Sequence, residues 1–190
     1  GGSTIYLALS VRERAPDIRT GRSIMRTKSA IFYAPKQPIS VEEVELKPPQ
    51  SGEVLVRVAA TGACHSDYHA VDGHIKATPT PMVMGHEAAG IVEGAGQGVT
   101  GFKAGDHVVF AIRHQCGKCK YCTTARPNLC NGIKNKPGHM VDGTTRFFKL
   151  DGTPLYHGLA TFSQHTVVPE WDLVKVRSDV PIEKLASIGC

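Results

Sequence analysis

The stretch CGKCKYCTTARPNLC, residues 116–130, places Cys116, Cys119, Cys122 and Cys130 at spacings of three, three and eight. Thiols this close can form disulfides, hold an iron–sulfur cluster or bind zinc. Nothing in the chain suggests secretion, and a reducing cytosol disfavours disulfides. Four thiolates meet the tetrahedral preference of Zn²⁺ and fill every coordination position, which describes a closed structural site rather than a reacting one. The Gly117-Lys118 and Lys120-Tyr121 spacers let the backbone curl around an ion, and Lys118, Lys120 and Arg126 offset the charge of four thiolates on a divalent metal. Zinc is the favoured reading. Four-sulfur ligation is shared with iron–sulfur clusters, so ligand type alone leaves that alternative standing.

The only other cysteines are Cys64, in TGACHSDYHAVDG, and Cys190; a second dense stretch, PMVMGHEAAG, carries His86. Two thiolates and one imidazole with an open fourth position are an established catalytic zinc set. Ligand bonds of about 2.0–2.3 Å to a common ion would bring the three donor atoms within about 4 Å of one another. Their spacing does not establish the site: on the residues alone, His86 reads equally well as an ordinary surface or core histidine.

These residues need a scaffold, and the sequence offers many short strands. Hydrophobic residues make up 41% of the 190 and charged ones 21%, ordinary for a globular protein with a real core. Twenty glycines, twelve prolines and short Val-rich runs favour strands and turns over a helical bundle. VEEVEL (41–46) alternates as an exposed strand does, and EVLVRVAATG (53–62) reads as a half-buried strand. AAGIVEG (88–94), DHVVFAI (106–112) and a pair within 161–178 follow, and PIEKLASIG (181–189) has helical spacing after a Pro. The expected architecture is mainly β, a small, partly closed β-barrel with few short helices. No apolar run approaches ~20 residues, so no membrane helix is expected. Residues 1–28 hold four of the five net positive charges, and the near-neutral remainder argues against nucleic acid. Residues 1–27 read as a basic, disordered extension without the apolar core of a secretory signal, and residues 28–190 as the folded domain of a cytoplasmic protein.

The order GACHSD, GHEAAGIV, GDHVVF, CGKCKYCTTARPNLC, DGTTRF, TFSQHTVV and ASIGC resembles the zinc-dependent, medium-chain alcohol dehydrogenases, from about residue 28 to 190. The resemblance implies a GroES-like catalytic domain with two zinc ions. The catalytic one would be held by Cys64, His86 and Cys190, and the structural one by Cys116, Cys119, Cys122 and Cys130. It further implies that Glu87 lies beside the metal and that Asp67 fixes the tautomer of His86. Ser66 would contact the substrate oxygen, His69 would end a proton relay, and His65 would meet the pyrophosphate of NAD or NADP. Ser66 could instead merely cap a helix, and His69 could simply be exposed. Ile112, Arg113, Tyr156 and His157 fall where the family lines its substrate pocket. The implied reaction is oxidation of a small alcohol to an aldehyde or ketone, by a full-length protein that forms homo-oligomers.

A dinucleotide site needs a glycine-rich turn between strand and helix. The formal match Gly96-Gln97-Gly98-Val99-Thr100-Gly101 is followed by FKAGDHVVF, a turn and strand, so it reads as a hairpin connection. The chain therefore reads as a catalytic half whose Rossmann half is absent, and which alone would not turn over. Two rivals remain: a thiol-adduct formaldehyde dehydrogenase with the same zinc motifs, and a non-enzymatic zinc-ribbon module, which leaves Cys64 and His86 without a role.

Overall fold

The computed structural model describes residues 23–75, 78–112, 115–133 and 136–190. Most of the expected basic extension, residues 1–22, lies outside them, as does Arg113. β1 (Met25–Phe32) starts three residues ahead of the expected boundary at 28, because Met25 and Thr27 already pair with the buried Leu46 and Val44 of β2 (Ser40–Leu46).

Five strands close a barrel in the order β1, β2, β7 (Phe147–Lys149), β8 (Pro154–His157) and β4 (Met82–Val83), which returns to β1. All its neighbours are antiparallel except β4 and β8. A second antiparallel sheet runs β10 (Leu173–Val176), β6 (His107–Phe110), β5 (Glu87–Ala95), β3 (Glu53–Gly62) and β9 (His165–Pro169). The fold is mainly β and barrel-like, as the strand-rich sequence implied.

The hydrophobic pattern explains how the two sheets join. Leu55 and Val167 face the barrel core with Ile31, Val44, Leu46, Val83, Phe147 and Leu155. Val54, Val56 and Val168 point the other way, into a second core with Val92, Val108 and Phe110. β3 is thus buried on both faces through Val54–Val56, and becomes half-exposed only at Arg57. The half-buried reading fits its later part alone. Each buried Val, Leu or Phe contributes about 1.5–3 kcal/mol.

Arg146, 1% exposed, ties the sheets together. Its Nε and one terminal nitrogen donate to Glu53 Oε2 and Oε1 at 2.8 and 2.6 Å; Asp142 Oδ2, Thr144 Oγ1 and the Thr145 carbonyl take its other donors. All five N–H donors of the guanidinium have acceptors, as burial requires. DGTTRF therefore encodes an ion-paired joint, which the sequence reading did not foresee.

The helix expected over 181–189 is a single 3₁₀ turn, Ile182–Leu185. Nine residues starting at a proline are too few to nucleate a stable helix unaided, and the end of the segment is drawn onto β6 instead. The β7–β8 hairpin was also missed, although its Asp151-Gly152 turn, with Gly152 at φ 85°, is a strong local signal. Residues 96–101 join β5 to β6 through turns, with no helix. Among the described residues no helix is long and apolar enough to cross a membrane.

Candidate metal centres

The first centre is local. Cys119 precedes α2 (Lys120–Thr123), and a 3₁₀ turn, Pro127–Leu129, returns the chain to Cys130. The four Sγ atoms all lie within 4.8 Å of one another, with Cys116–Cys122, Cys119–Cys122 and Cys119–Cys130 at 4.0, 3.6 and 3.9 Å. Four sulfurs at roughly 2.3 Å from a common tetrahedral centre would be about 3.8 Å apart. Backbone N–H groups of Cys119 and Cys116 donate to the sulfurs of Cys116 and Cys130, each at 3.3 Å. Such donors favour thiolates: backbone bonds from Cys122 and Asn131 bring Cys119 down to about 6, and the backbone of Cys116 lowers Cys130. Burial and the neighbouring Cys119 push Cys122 to about 12. Thiolates this close repel one another, and a cation among them would offset that repulsion. Spacing, donor type and backbone bonding fit a tetrahedral metal.

The second centre is assembled across the fold. β3 and β5 pair Gly62 with Glu87, so the residues beyond β3 meet those before β5. Cys64 lies two residues past Gly62, at the start of α1 (His65–Val71), and His86 immediately precedes Glu87. Gly85, at φ 94°, turns the chain into His86. Cys190 arrives from the third direction: the 3₁₀ turn Ile182–Leu185 packs on β3 and β5, and Gly189 lies so close to the Phe110 carbonyl that any side chain there would collide with it. Cys64, His86, Glu87 and Cys190 each present a donor atom within 4.8 Å of the others, and the two sulfurs are 3.8 Å apart.

Helix α1 orients this cluster. Asp67, buried on its inner face, takes the backbone N–H of Cys64 at Oδ2 (3.2 Å) and meets His86 Nδ1 at Oδ1 (3.3 Å). A proton held on Nδ1 by Asp67 leaves Nε2 as the atom that would bind a metal in place of its own proton. The Asp67 carboxylate raises His86 to about 9, while the Ser66 hydroxyl, 3.2 Å from Cys64 Sγ, lowers Cys64. Burial and Cys64 push Cys190 to about 11. As in the first centre, one thiol of the pair is shifted down and its neighbour up. Ser66 Oγ is also 3.3 Å from His86 Nε2. On the outer side of α1, His65 is exposed and its ring lies 4.7 Å from that of the half-buried His69.

The substrate-pocket expectation divides. Ile112 is exposed, and Tyr156 packs edge-on against His139. His157 does not line a pocket: it is buried against Phe147, accepts the Arg146 N–H at Nε2 (3.1 Å) and donates from Nδ1 to the Gly158 carbonyl (2.9 Å). Its polar atoms are fully used by the backbone.

The barrel-bearing β fold thus carries a four-thiol lobe and a Cys–His–Cys cluster, each with donor atoms close enough to hold a metal ion. The family model described as "Alcohol dehydrogenase GroES-like domain" matches residues 50–178, and the chain belongs to that family. It is 42% identical over 175 residues to the class-3 alcohol dehydrogenase of Dictyostelium discoideum, covering 90% of this chain and 46% of the relative. It is 43% identical over 170 residues to the S-(hydroxymethyl)glutathione dehydrogenase of Paracoccus denitrificans, covering 87% and 45%. Among solved structures, an alcohol dehydrogenase zinc-binding domain protein from Burkholderia ambifaria superposes with a TM-score of 0.82 at 34% identity, over 88% of this chain and 46% of that one. Benzyl alcohol dehydrogenase from Acinetobacter calcoaceticus gives 0.77 at 33%, over 87% and 45%. The chain spans about half the length of these relatives.

Proposed function

We propose that residues 28–190, extended back to Met25, are the catalytic domain of a zinc-dependent alcohol dehydrogenase that delivers hydride to NAD or NADP. The dinucleotide fold would belong to the part of the relatives' length that this chain does not cover. Cys116, Cys119, Cys122 and Cys130 would hold a structural zinc, and Cys64, His86 and Cys190 a catalytic one, with Glu87 beside it. The observation that carries the reading is the convergence of Cys64, His86 and Cys190 from three separate parts of the fold.

When bound, the ion supplies Lewis acidity toward an alcohol oxygen and the nicotinamide supplies the hydride acceptor. The chain's own residues do the rest. Asp67 keeps the ring of His86 in the ligating tautomer. The Ser66 hydroxyl, at the edge of the cluster, accepts the alcohol proton and passes it toward His69, one helical turn further along α1. His65, exposed at the start of α1, meets the anionic part of the cofactor.

The name of the Paracoccus denitrificans relative favours a thiol adduct of formaldehyde as substrate, while the benzyl alcohol dehydrogenase favours a primary or aromatic alcohol. Metal analysis tests the sites: we expect two zinc equivalents, one lost in Cys119→Ser and the other in Cys64→Ser. A single equivalent that survives Cys64→Ser would leave the zinc-ribbon module as the better reading. Turnover of S-(hydroxymethyl)glutathione against benzyl alcohol by the full-length protein then separates the substrates, and chelation should abolish both activities.

A further inference from the structure

We propose that Asp72 and His74 form the solvent end of the proton path, taking from His69 the proton that the site releases; this rests on the relay reading of Ser66 and His69. Helix α1 stops at Val71 with Asp72 as its C-cap, and the chain reverses at Gly73 (φ 81°). The backbone N–H groups of His74 and Ile75 then both donate to the His69 carbonyl, at 2.9 and 3.3 Å. This fold-back lays the His74 ring edge-on against His69, with centroids 5.2 Å apart at 71°. The His74 side chain is 61% exposed, and its Nδ1 lies 3.0 Å from Asp72 Oδ2.

Three imidazoles therefore run along the outside of α1 in the order His65, His69, His74. Among the described residues, His74 alone of the three is both water-facing and paired with a carboxylate. Among the described residues, the titratable groups against His74 are Asp72 and His69; His65 and Tyr68 flank the far side of His69. The loop after β1 meets the helix end through a backbone bond from the Lys36 N–H to the Val71 carbonyl.

The chemistry follows from the pairing. Asp72 holds a proton on Nδ1, so the Nε2 lone pair of His74 is free to accept one from His69, directly or across one water. The resulting imidazolium, with Nδ1 beside the Asp72 carboxylate, loses its proton to water or buffer. Both residues return to their starting state, and the net change is one proton moved from the site to solvent. Water is a poor base, and a second imidazole gives His69 a better acceptor than water alone.

The test is the pH profile of the full-length protein at low buffer concentration. His74→Gln should lower kcat below neutral pH by roughly three- to tenfold, less than the ~10²-fold of a full general-base loss, with KM unchanged. Added imidazole should restore the rate, and Asp72→Asn should show a smaller version of the same defect. A readout apart from turnover is ¹⁵N NMR of the histidine rings. His74 should carry its proton on Nδ1 and should populate both tautomers in Asp72→Asn. If His69→Gln shows the acid-side loss and His74→Gln does not, the path ends at His69 and the inference fails while the relay stands. If neither variant alters the profile, the relay reading falls and takes the inference with it. A loss uniform in pH, absence of rescue by imidazole, or a His74 tautomer indifferent to Asp72→Asn would each overturn the role of this pair.

Discussion

Replacing Asp67 by Asn should weaken the Cys64–His86–Cys190 centre while leaving the four-cysteine centre intact. One carboxylate serves two ligands here: Oδ2 accepts the Cys64 N–H and Oδ1 faces His86 Nδ1. Asparagine has a single acceptor oxygen. If that oxygen stays on Cys64 N–H, the NH₂ group confronts His86 Nδ1 and drives its proton to Nε2, removing the ligating lone pair. If the oxygen turns to His86, the Cys64 N–H faces another donor instead. Losing one such supporting contact costs roughly 10- to 100-fold in metal affinity, equal to about 1.4–2.7 kcal/mol. Because both arrangements spoil one ligand, the upper end applies, near 100-fold. Competition against a chromophoric chelator would resolve the two sites, the weaker one shifting and the four-cysteine site holding its affinity. An affinity within about threefold of wild type would refute the orienting role of Asp67. Equal weakening of both sites would point instead to general damage to the fold.

Two further outcomes concern the scaffold. Arg146→Met strands the buried Glu53 carboxylate and should cost about 3–5 kcal/mol by urea unfolding, most of it recovered when Glu53→Met is added. His157 is held neutral by burial, its pKa lowered from 6.5 to about 4. The unfolded chain binds that proton first, so this stability is complete above 6.5 and drains away as pH falls toward 4. Between pH 7.5 and 5 the loss should be roughly 2 kcal/mol, and the difference should shrink by that amount in His157→Asn.

What the sequence made legible tracks how local each arrangement is. The convergence of the four thiols could be read directly, because they lie within residues 116–130 and the connecting turns are too short to scatter them. Strand positions were also readable, since alternation such as that of VEEVEL is a property of one strand; Val44 and Leu46 are inside, while Val41 of the same run is 71% exposed. EVLVRV was read as half-buried because one strand cannot reveal that its outer face will be covered too. The helical spacing of Ile182, Leu185 and Ile188 misled in a similar way. Ile188 is 64% exposed, and the buried residue of that segment is Ala186, outside the apparent stripe. His157, expected in the substrate pocket, is buried instead, and the burial of Arg146 went unforeseen: each depends on a partner distant in sequence, Glu53 for Arg146 and the Arg146 N–H for His157.

The Cys64–His86–Cys190 centre lies at the other extreme. Cys64 and His86 approach because Gly62 pairs with Glu87, and that register follows from apolar side chains of β3 and β5 that lie outside the cluster. Cys190 completes the cluster through the contact of Gly189 with the Phe110 carbonyl, which uses a residue of β6 unrelated to either ligand. Three donor side chains from three segments therefore depend on the second core, whereas the four-thiol lobe depends mainly on its own turns. Motif order could suggest this trio only by resemblance, since the physical cause is sheet register rather than ligand spacing. The Asp72–His74 pair falls between these cases. Its residues are adjacent in sequence, yet its meaning appears only once the end of α1 and the reversal at Gly73 place the two beside His69. Proximity in sequence makes a contact available; the ending of an element decides what the contact faces.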